Sequence, residues 1–323
     1  MARAAKKNAE AADVVPAEGF TMDQPADAPP KPPAKPPAKP SAKSAGKAAK
    51  APAPKRTFIL AVTNLKGGVA KTTTACNVGW GLTDSGLSCL IVDLDMQANA
   101  TSDLGFDIAQ IQESGLSMAS VLRGQHDMDD ILLQYSDTNL WVAPSAKALT
   151  DVERQLSTEI GGEKRLSQKV SSVAGRFDVV IFDCGPNLNL LTINALSMAD
   201  FLIIPVQTEY LAAHGTLSLL DTVSQVRDNY NPGLTILPIL PTMFSERNSQ
   251  EQATLGELRQ LVSDIVPIFD PVPRATVFSK ASASGHPALR ASGRSKAVGT
   301  YRNYVKMILS KMKAAQTTNK QAD

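Results

Sequence analysis

One octapeptide, Lys66-Gly67-Gly68-Val69-Ala70-Lys71-Thr72-Thr73, constrains the fold of this chain more than any other stretch. It follows an apolar, β-type run, Phe58-Ile59-Leu60-Ala61-Val62, and opens a segment with helical spacing. A glycine-rich turn from a strand into a helix N-terminus aims backbone N–H groups at one point. The orphan donors and the helix dipole both favour negative charge there, so the turn is built to cradle phosphate. Lys71 would lie along the terminal phosphates, and Thr72 would offer its hydroxyl to Mg²⁺. Against the general pattern G-x-x-x-x-G-K-[ST] the match is incomplete, because Leu65 and Ala70 hold the two glycine positions. The distinguishing addition is a second lysine, Lys66, set just before the glycines.

Two further apolar runs end in carboxylates. Leu90-Ile91-Val92 leads into Asp93-Leu94-Asp95-Met96-Gln97-Ala98-Asn99, and Val179-Val180-Ile181-Phe182 leads into Asp183-Cys184-Gly185-Pro186. One aspartate after a strand can cap the next helix or turn. That leaves the second of the Asp93/Asp95 pair unexplained. Beside a Mg²⁺-nucleotide the two can divide their tasks, one orienting metal-bound water and the other the attacking water. Asp183 ends a strand of the Walker B type, suited to hold Mg²⁺ through a water.

The wider pattern alternates strand and helix. Strands are expected at Phe58–Thr63, Cys89–Asp93, Leu140–Ala143, Asp178–Asp183, Phe201–Val206 and Leu234–Leu240. Helices are expected at Thr72–Thr83, Leu116–Leu122, Ala146–Ser157, Lys164–Val173, Leu188–Ser197, Tyr210–Asp228 and Gln250–Val266. Such alternation implies an α/β, three-layer domain, a mostly parallel sheet with helices on both faces. Ligands of these sheets bind at the carboxyl ends of the strands, where all three motifs fall.

Taken together, these blocks resemble the ParA/MinD group of deviant Walker A ATPases, and the ParA (Soj-like) partition branch in particular. The resemblance runs over roughly Thr57 to Lys313. It rests on T-N-L-K-G-G-V-A-K-T-T-T at 63–74, V-D-L-D-M-Q-A-N-A-T at 92–101 and F-D-C-G-P-N-L-N-L-L-T-I-N-A-L at 182–196. It continues in I-P-V-Q-T-E-Y at 204–210 and V-P-R-A-T-V-F-S-K-A at 272–281. The resemblance implies an ATP hydrolase using ATP and Mg²⁺, with residues 67–73 as the phosphate cradle (Gly67, Gly68, Val69, Ala70, Lys71, Thr72, Thr73). It implies Thr72 on Mg²⁺, Asp93 and Asp183 in the ion's outer shell, and Asp95 on the hydrolytic water. It implies that Lys66 reaches across a homodimer, with ATP sandwiched, to the partner's phosphates. Pro273 and Arg274 fall where related proteins place a loop near the base. The family usually has Pro at Met96, Gly at Ala98 and often Pro at Gly185, and more commonly Gly at Ala70. These departures leave every charged group in place.

Charge is segregated along the chain. The net formal charge is only +2, yet residues 1–56 carry 11 Lys and Arg against 5 Asp and Glu, and residues 57–270 carry 12 against 25. Residues 271–323 carry 10 against 1. The C-terminal run comprises Arg274, Lys280, Arg290, Arg294, Lys296, Arg302, Lys306, Lys311 and Lys313. Ordinary surfaces mix both signs, so this run suits a polyanion. ParA-like dimers bind DNA through basic residues in this part of the chain. Sequence-independent, salt-sensitive contact with the nucleoid is therefore expected, together with release by a ParB-like or analogous activating partner. With no helix-turn-helix pattern ahead of the P-loop, operator-specific repression is not expected.

Residues 1–56 are rich in Ala, Pro and Lys and poor in large apolar groups, which predicts a disordered tail. Lys31, Lys35, Lys39, Lys43 and Lys47 recur every four residues within it. The ATPase domain is expected over 57–313 and a flexible C-terminus over 314–323. No apolar run approaches the roughly eighteen residues of a membrane span, and no secretory h-region is visible. Cys76, Cys89 and Cys184 lack C-x-x-C spacing, and His126, His214 and His286 are scattered, which argues against disulfides or zinc and for a reducing cytoplasm. Tyr301, Tyr304, Val305, Ile308 and Met312 form a helical stripe that reads as core-facing, so no membrane partner is expected. The alternatives are a MinD-like membrane-cycling regulator, an iron–sulfur reductase of the nitrogenase iron-protein type, and a scaffold that reads nucleotide without hydrolysing it.

Overall fold

The computed structural model describes residues 56–210, 212–291 and 295–322, without the side chains of 318–322. The basic tail, apart from Arg56, and the expected DNA residue Arg294 lie outside the described residues. The first part comprises β1 (Phe58–Val62), α1 (Lys71–Asp84), β2 (Cys89–Leu94), α2 (Asn99–Asp103), α3 (Ile108–Ser114), α4 (Met118–Leu122) and α5 (Met128–Ile131). Next come β3 (Leu133–Gln134), β4 (Leu140–Ala143), α6 (Leu149–Leu156), α7 (Arg165–Ala174), β5 (Val179–Cys184) and α8 (Leu190–Met198). The chain continues through β6 (Phe201–Ile203), β7 (Pro205–Gln207), α9 (Ala212–Asn229), β8 (Thr235–Ile236), β9 (Leu240–Thr242) and α10 (Ser249–Val262). It ends in α11 (Val277–Ala283), α12 (Ala288–Ala291) and α13 (Lys296–Ala322).

Seven strands form one sheet in the order β3-β4-β2-β5-β1-β6-β8. All pairs are parallel except the β3–β4 edge. Alternate strand residues point to opposite faces, so each face collects its own core. Phe58, Leu60, Val62, Ile91 and Ile181 pack with α1, α2, α11, α12 and α13. Ala61, Leu90, Val92, Val180 and Phe182 pack with the helices from α4 to α10. The expected α/β, three-layer fold is the fold observed.

Two expected strands are each divided. Phe201–Val206 becomes β6 in the main sheet and β7 outside it, and β7 pairs with β9 in a separate two-stranded sheet. The chain crosses from one sheet to the other at Ile204-Pro205, and the matching shift from β8 to β9 passes Pro238. Proline has no N–H to give a ladder, so both strands change partners where a donor is missing. The terminal helix α13 runs from Lys296 to Ala322. Its stripe of Tyr301, Tyr304, Val305, Ile308 and Met312 is buried, as the spacing predicts. It lies against α1 at Gly81, where an added Cβ would come within 2.7 Å of Val305. A missing side chain there is what lets the two helices approach.

Candidate functional site

The P-loop lies between β1 and α1. Gly68 has φ +74° and Ala70 has φ +67°, both left-handed. Glycine takes that conformation freely, whereas at Ala70 the backbone is strained by about 1–2 kcal/mol. The turn reverses the chain so that Lys71 begins α1 and its side chain folds back over the loop. Its Nζ donates to the Lys66 carbonyl at 2.9 Å. Burial lowers the Lys71 pKa, and the nearby Asp183 and Asp95 charges act against that shift.

Parallel register brings the carboxylates to this loop. Val62 of β1 pairs with Asp183 of β5, and Asp183 pairs with Asp93 of β2. The two aspartates therefore stand side by side at the carboxyl edge, both fully buried. They are not equivalent. Asp93 Oδ1 accepts from Asp95 N at 3.1 Å, while its Oδ2 accepts from Thr101 N at 2.9 Å and Thr101 Oγ1 at 2.7 Å. Those bonds make Asp93 the brace of the loop from Asp95 to α2. Burial still dominates and raises its pKa to about 7.

Asp183 Oδ2 accepts from Thr72 Oγ1 at 2.8 Å, but its Oδ1 is buried with no partner among the described residues. Burial first, and the Asp93 charge second, push the Asp183 pKa well up. An orphaned buried carboxylate oxygen beside a threonine hydroxyl is a donor set for a hydrated hard cation. Asp95 is 8% exposed, and its Oδ1 accepts from Gln97 N at 3.0 Å. Its Oδ2 accepts no hydrogen bond among the described residues. The loop that follows passes through Ala98 at φ +54°, where the family usually has glycine.

Beside the P-loop a cavity of about 300 Å³ is lined by Ala70, Thr73, Met243, Pro273, Arg274 and Tyr301, among others. Pro273 and Arg274 therefore share this cavity with Ala70 and Thr73 of the phosphate loop. Arg274 Nη2 is 3.4 Å from Glu251 Oε1. Sequence reasoning missed the rest of this wall. Met243 sits at φ +54° at the end of β9, and Tyr301 Oη is 2.9 Å from Thr74 Oγ1. Phe278 of α11 meets the Tyr301 ring edge-on. These contacts join segments far apart in sequence. Only the placement of Thr74 in the P-loop block and Tyr301 in the apolar stripe was visible beforehand.

Comparison with known proteins addresses the family. The AAA_31 family model, described as an AAA domain, matches residues 57–236. The sporulation initiation inhibitor protein Soj of Bacillus subtilis is 36% identical over 250 residues, covering 77% of this chain and 97% of Soj. This chain belongs to the ParA/MinD family of P-loop ATPases. The chromosome partitioning protein ParA of Caulobacter vibrioides is 34% identical over 234 residues, covering 72% of this chain and 86% of that ParA. Among solved structures, one from Mycobacterium smegmatis matches with a TM-score of 0.69 and 33% identity, over 80% of this chain and 97% of its own. It is described as a cobyrinic acid a,c-diamide synthase with bound ATP analog and magnesium.

Lys66 immediately precedes the two glycines of the loop. Here Lys66 is half exposed and its Nζ lies 2.6 Å from Glu209 Oε2. Of the expected DNA residues, Arg274 lines the cavity beside the phosphate loop. Lys280, Lys296 and Lys306 are exposed on α11 and α13, and Arg302 is half-buried on α13. Lys296 pairs with Glu246. Arg290 is engaged differently. Its guanidinium lies over the Trp80 and Tyr135 rings and donates to Tyr135 Oη at 2.6 Å. The cysteines Cys76, Cys89 and Cys184 are buried, and burial raises the Cys89 pKa to about 12.

Proposed function

We propose that this chain is an ATP-dependent dimerisation switch that grips DNA without sequence preference and lets go on hydrolysis. The observation that carries the reading is the cluster at the strand ends. There Lys71, Thr72, Asp95 and Asp183 lie near one another, and Asp183 Oδ1 is buried without a partner among the described residues. ATP and Mg²⁺ fit this cluster, and the ion would neutralise charge on the triphosphate. The loop residues Gly67 to Thr73 cradle the phosphates, and Lys71 lies along the β/γ end. Thr72 would offer its hydroxyl to Mg²⁺, and Asp183, which accepts from that hydroxyl, would support the ion's outer shell. Asp93 supports the ion's outer shell through the loop it braces. Asp95 orients the attacking water. Pro273 and Arg274 border the nucleoside end. Lys66 reaches the triphosphate of a second copy, so neither protomer has a complete site alone.

Dimer closure joins two basic surfaces and raises DNA affinity by avidity. Arg274, Lys280, Arg290, Arg294, Lys296, Arg302 and Lys306 are the basic residues assigned to this contact. An activating partner of the ParB type stimulates hydrolysis, the dimer separates and the chain leaves the nucleoid. Repeated release would segregate or position a cargo such as a plasmid, a chromosome origin or a protein cluster in the cytoplasm. The kinship to Soj and ParA supports this assignment. A MinD-like membrane cycle is less well supported, because the apolar stripe of α13 packs against the core. Among the described residues no helix is long and apolar enough to cross a membrane.

The test is nonspecific DNA binding with ATP, with ADP and without nucleotide. Tight, salt-sensitive binding with ATP alone is expected. Equal affinity in all three conditions would remove the switch.

A further inference from the structure

The lysine that a twin subunit would need is already engaged at home. Lys66 Nζ lies 2.6 Å from Glu209 Oε2, and the two side chains are 49% and 46% exposed. Glu209 is itself braced: Gln207 Nε2 donates to its other carboxylate oxygen, and its own N–H donates to the Gln207 carbonyl at 2.8 Å. The backbones beneath the pair are tied as well. Lys66 N donates to Asn64 Oδ1 at 3.1 Å, and Asn64 Nδ2 donates to the Pro205 carbonyl at 2.7 Å. Strands β1 and β6 are neighbours in the sheet, so the segments following them emerge side by side. The Lys66–Glu209 pair is thus a consequence of the fold, and more than a meeting of two loose side chains.

We propose that Glu209 is a positioning residue that holds Lys66 on its own protomer and sets the nucleotide concentration at which two copies close. This rests on the reading of Lys66 as the lysine lent to a partner's triphosphate. Reaching across to another subunit's triphosphate would draw this ammonium group away from its 2.6 Å contact with Glu209. Closure therefore breaks the pair in each protomer. A half-exposed ion pair is worth a factor of about two to five in an equilibrium. Two are released per dimer, so the dimerisation constant is held down by about four- to twenty-five-fold. Such a latch is weakened by salt, because water and ions reach both groups.

The experiment is sedimentation velocity on the full chain, titrated with AMP-PNP and Mg²⁺ at low and high salt. Glu209→Gln should dimerise at a lower AMP-PNP concentration than the wild type, and Glu209→Ala at a concentration as low or lower. The gap to wild type should close as salt rises. Equal midpoints for all three proteins, harder dimerisation of the variants, or a gap indifferent to salt would each overturn the latch. Wild-type protein that stays monomeric at saturating AMP-PNP overturns the dimer switch itself and the latch with it. Wild-type dimers with unshifted variants remove the latch alone.

Discussion

At the carboxyl edge of the sheet, Asp93, Asp95 and Asp183 are each 8% exposed or less, and their neighbours are specified atom by atom. On α13 the lysines at 296, 306, 311 and 313 are all exposed, and of these Lys296 is paired, with Glu246. One region places few charges in a dry, hydrogen-bonded frame where each has its own geometry. The other spreads many charges over a wet surface where only their sum matters. Buried charge interacts strongly and locally, whereas exposed charge is screened within about 10 Å. Single substitutions should therefore be decisive in the first region and incremental in the second.

The largest effect is expected for Lys71→Ala. Removing one partner of a buried, charged contact costs about 3 kcal/mol, so nucleotide affinity should fall by roughly 150-fold in a fluorescent-nucleotide titration. A change of only a few-fold would mean that the loop behaves like an exposed surface. Asp95→Ala should retain ATP binding and lose turnover by about 10²- to 10³-fold, measured as phosphate release. The variant should accumulate as a DNA-bound dimer. Normal turnover would reassign the water-orienting role.

On the basic side, Lys306→Ala with Lys311→Ala should weaken DNA binding uniformly across sequences. The slope of log affinity against log salt should fall by about one for each lysine that meets a phosphate. An effect confined to one DNA sequence would contradict backbone-only contact. Arg290 is a poor probe of the same question, because its removal also strips a cation from the Trp80 and Tyr135 rings. The smallest effect is expected where the two regions touch. Tyr301→Phe keeps the ring against Phe278 and deletes the hydrogen bond to Thr74. It should cost about 1 kcal/mol, seen as a Tm a few degrees lower in a thermal melt. A larger loss would indicate that the α1–α13 seam does more than pack.

The cradle was legible in the sequence because it is local. Strand, glycine turn and helix are contiguous, so Lys66 to Thr73 announce their geometry without reference to the rest of the chain. The carboxylates at 93, 95 and 183 were legible for a related reason, since each ends an apolar run and strand ends are where such sheets bind ligands. Even the departures from family glycine at Ala70 and Ala98 kept their meaning, for both adopt the left-handed backbone that glycine would favour. The change of sheet at Pro205 was less legible, because a continuous apolar run conceals which neighbour it pairs with.

Composition and local pattern settled the layer architecture, the phosphate loop and the polarity of the two ends, because these depend on residues close together in the chain. Which carboxylate became a brace and which kept a free oxygen depended on Thr101 and Thr72 arriving from other elements. The same holds for the hold of Glu209 on Lys66 and the contact of Tyr301 with Thr74, separated by 143 and 227 positions. Hydrogen bonds act over about 3 Å. Their partners are therefore chosen by how the sheet and helices pack, and no count along the chain reveals them.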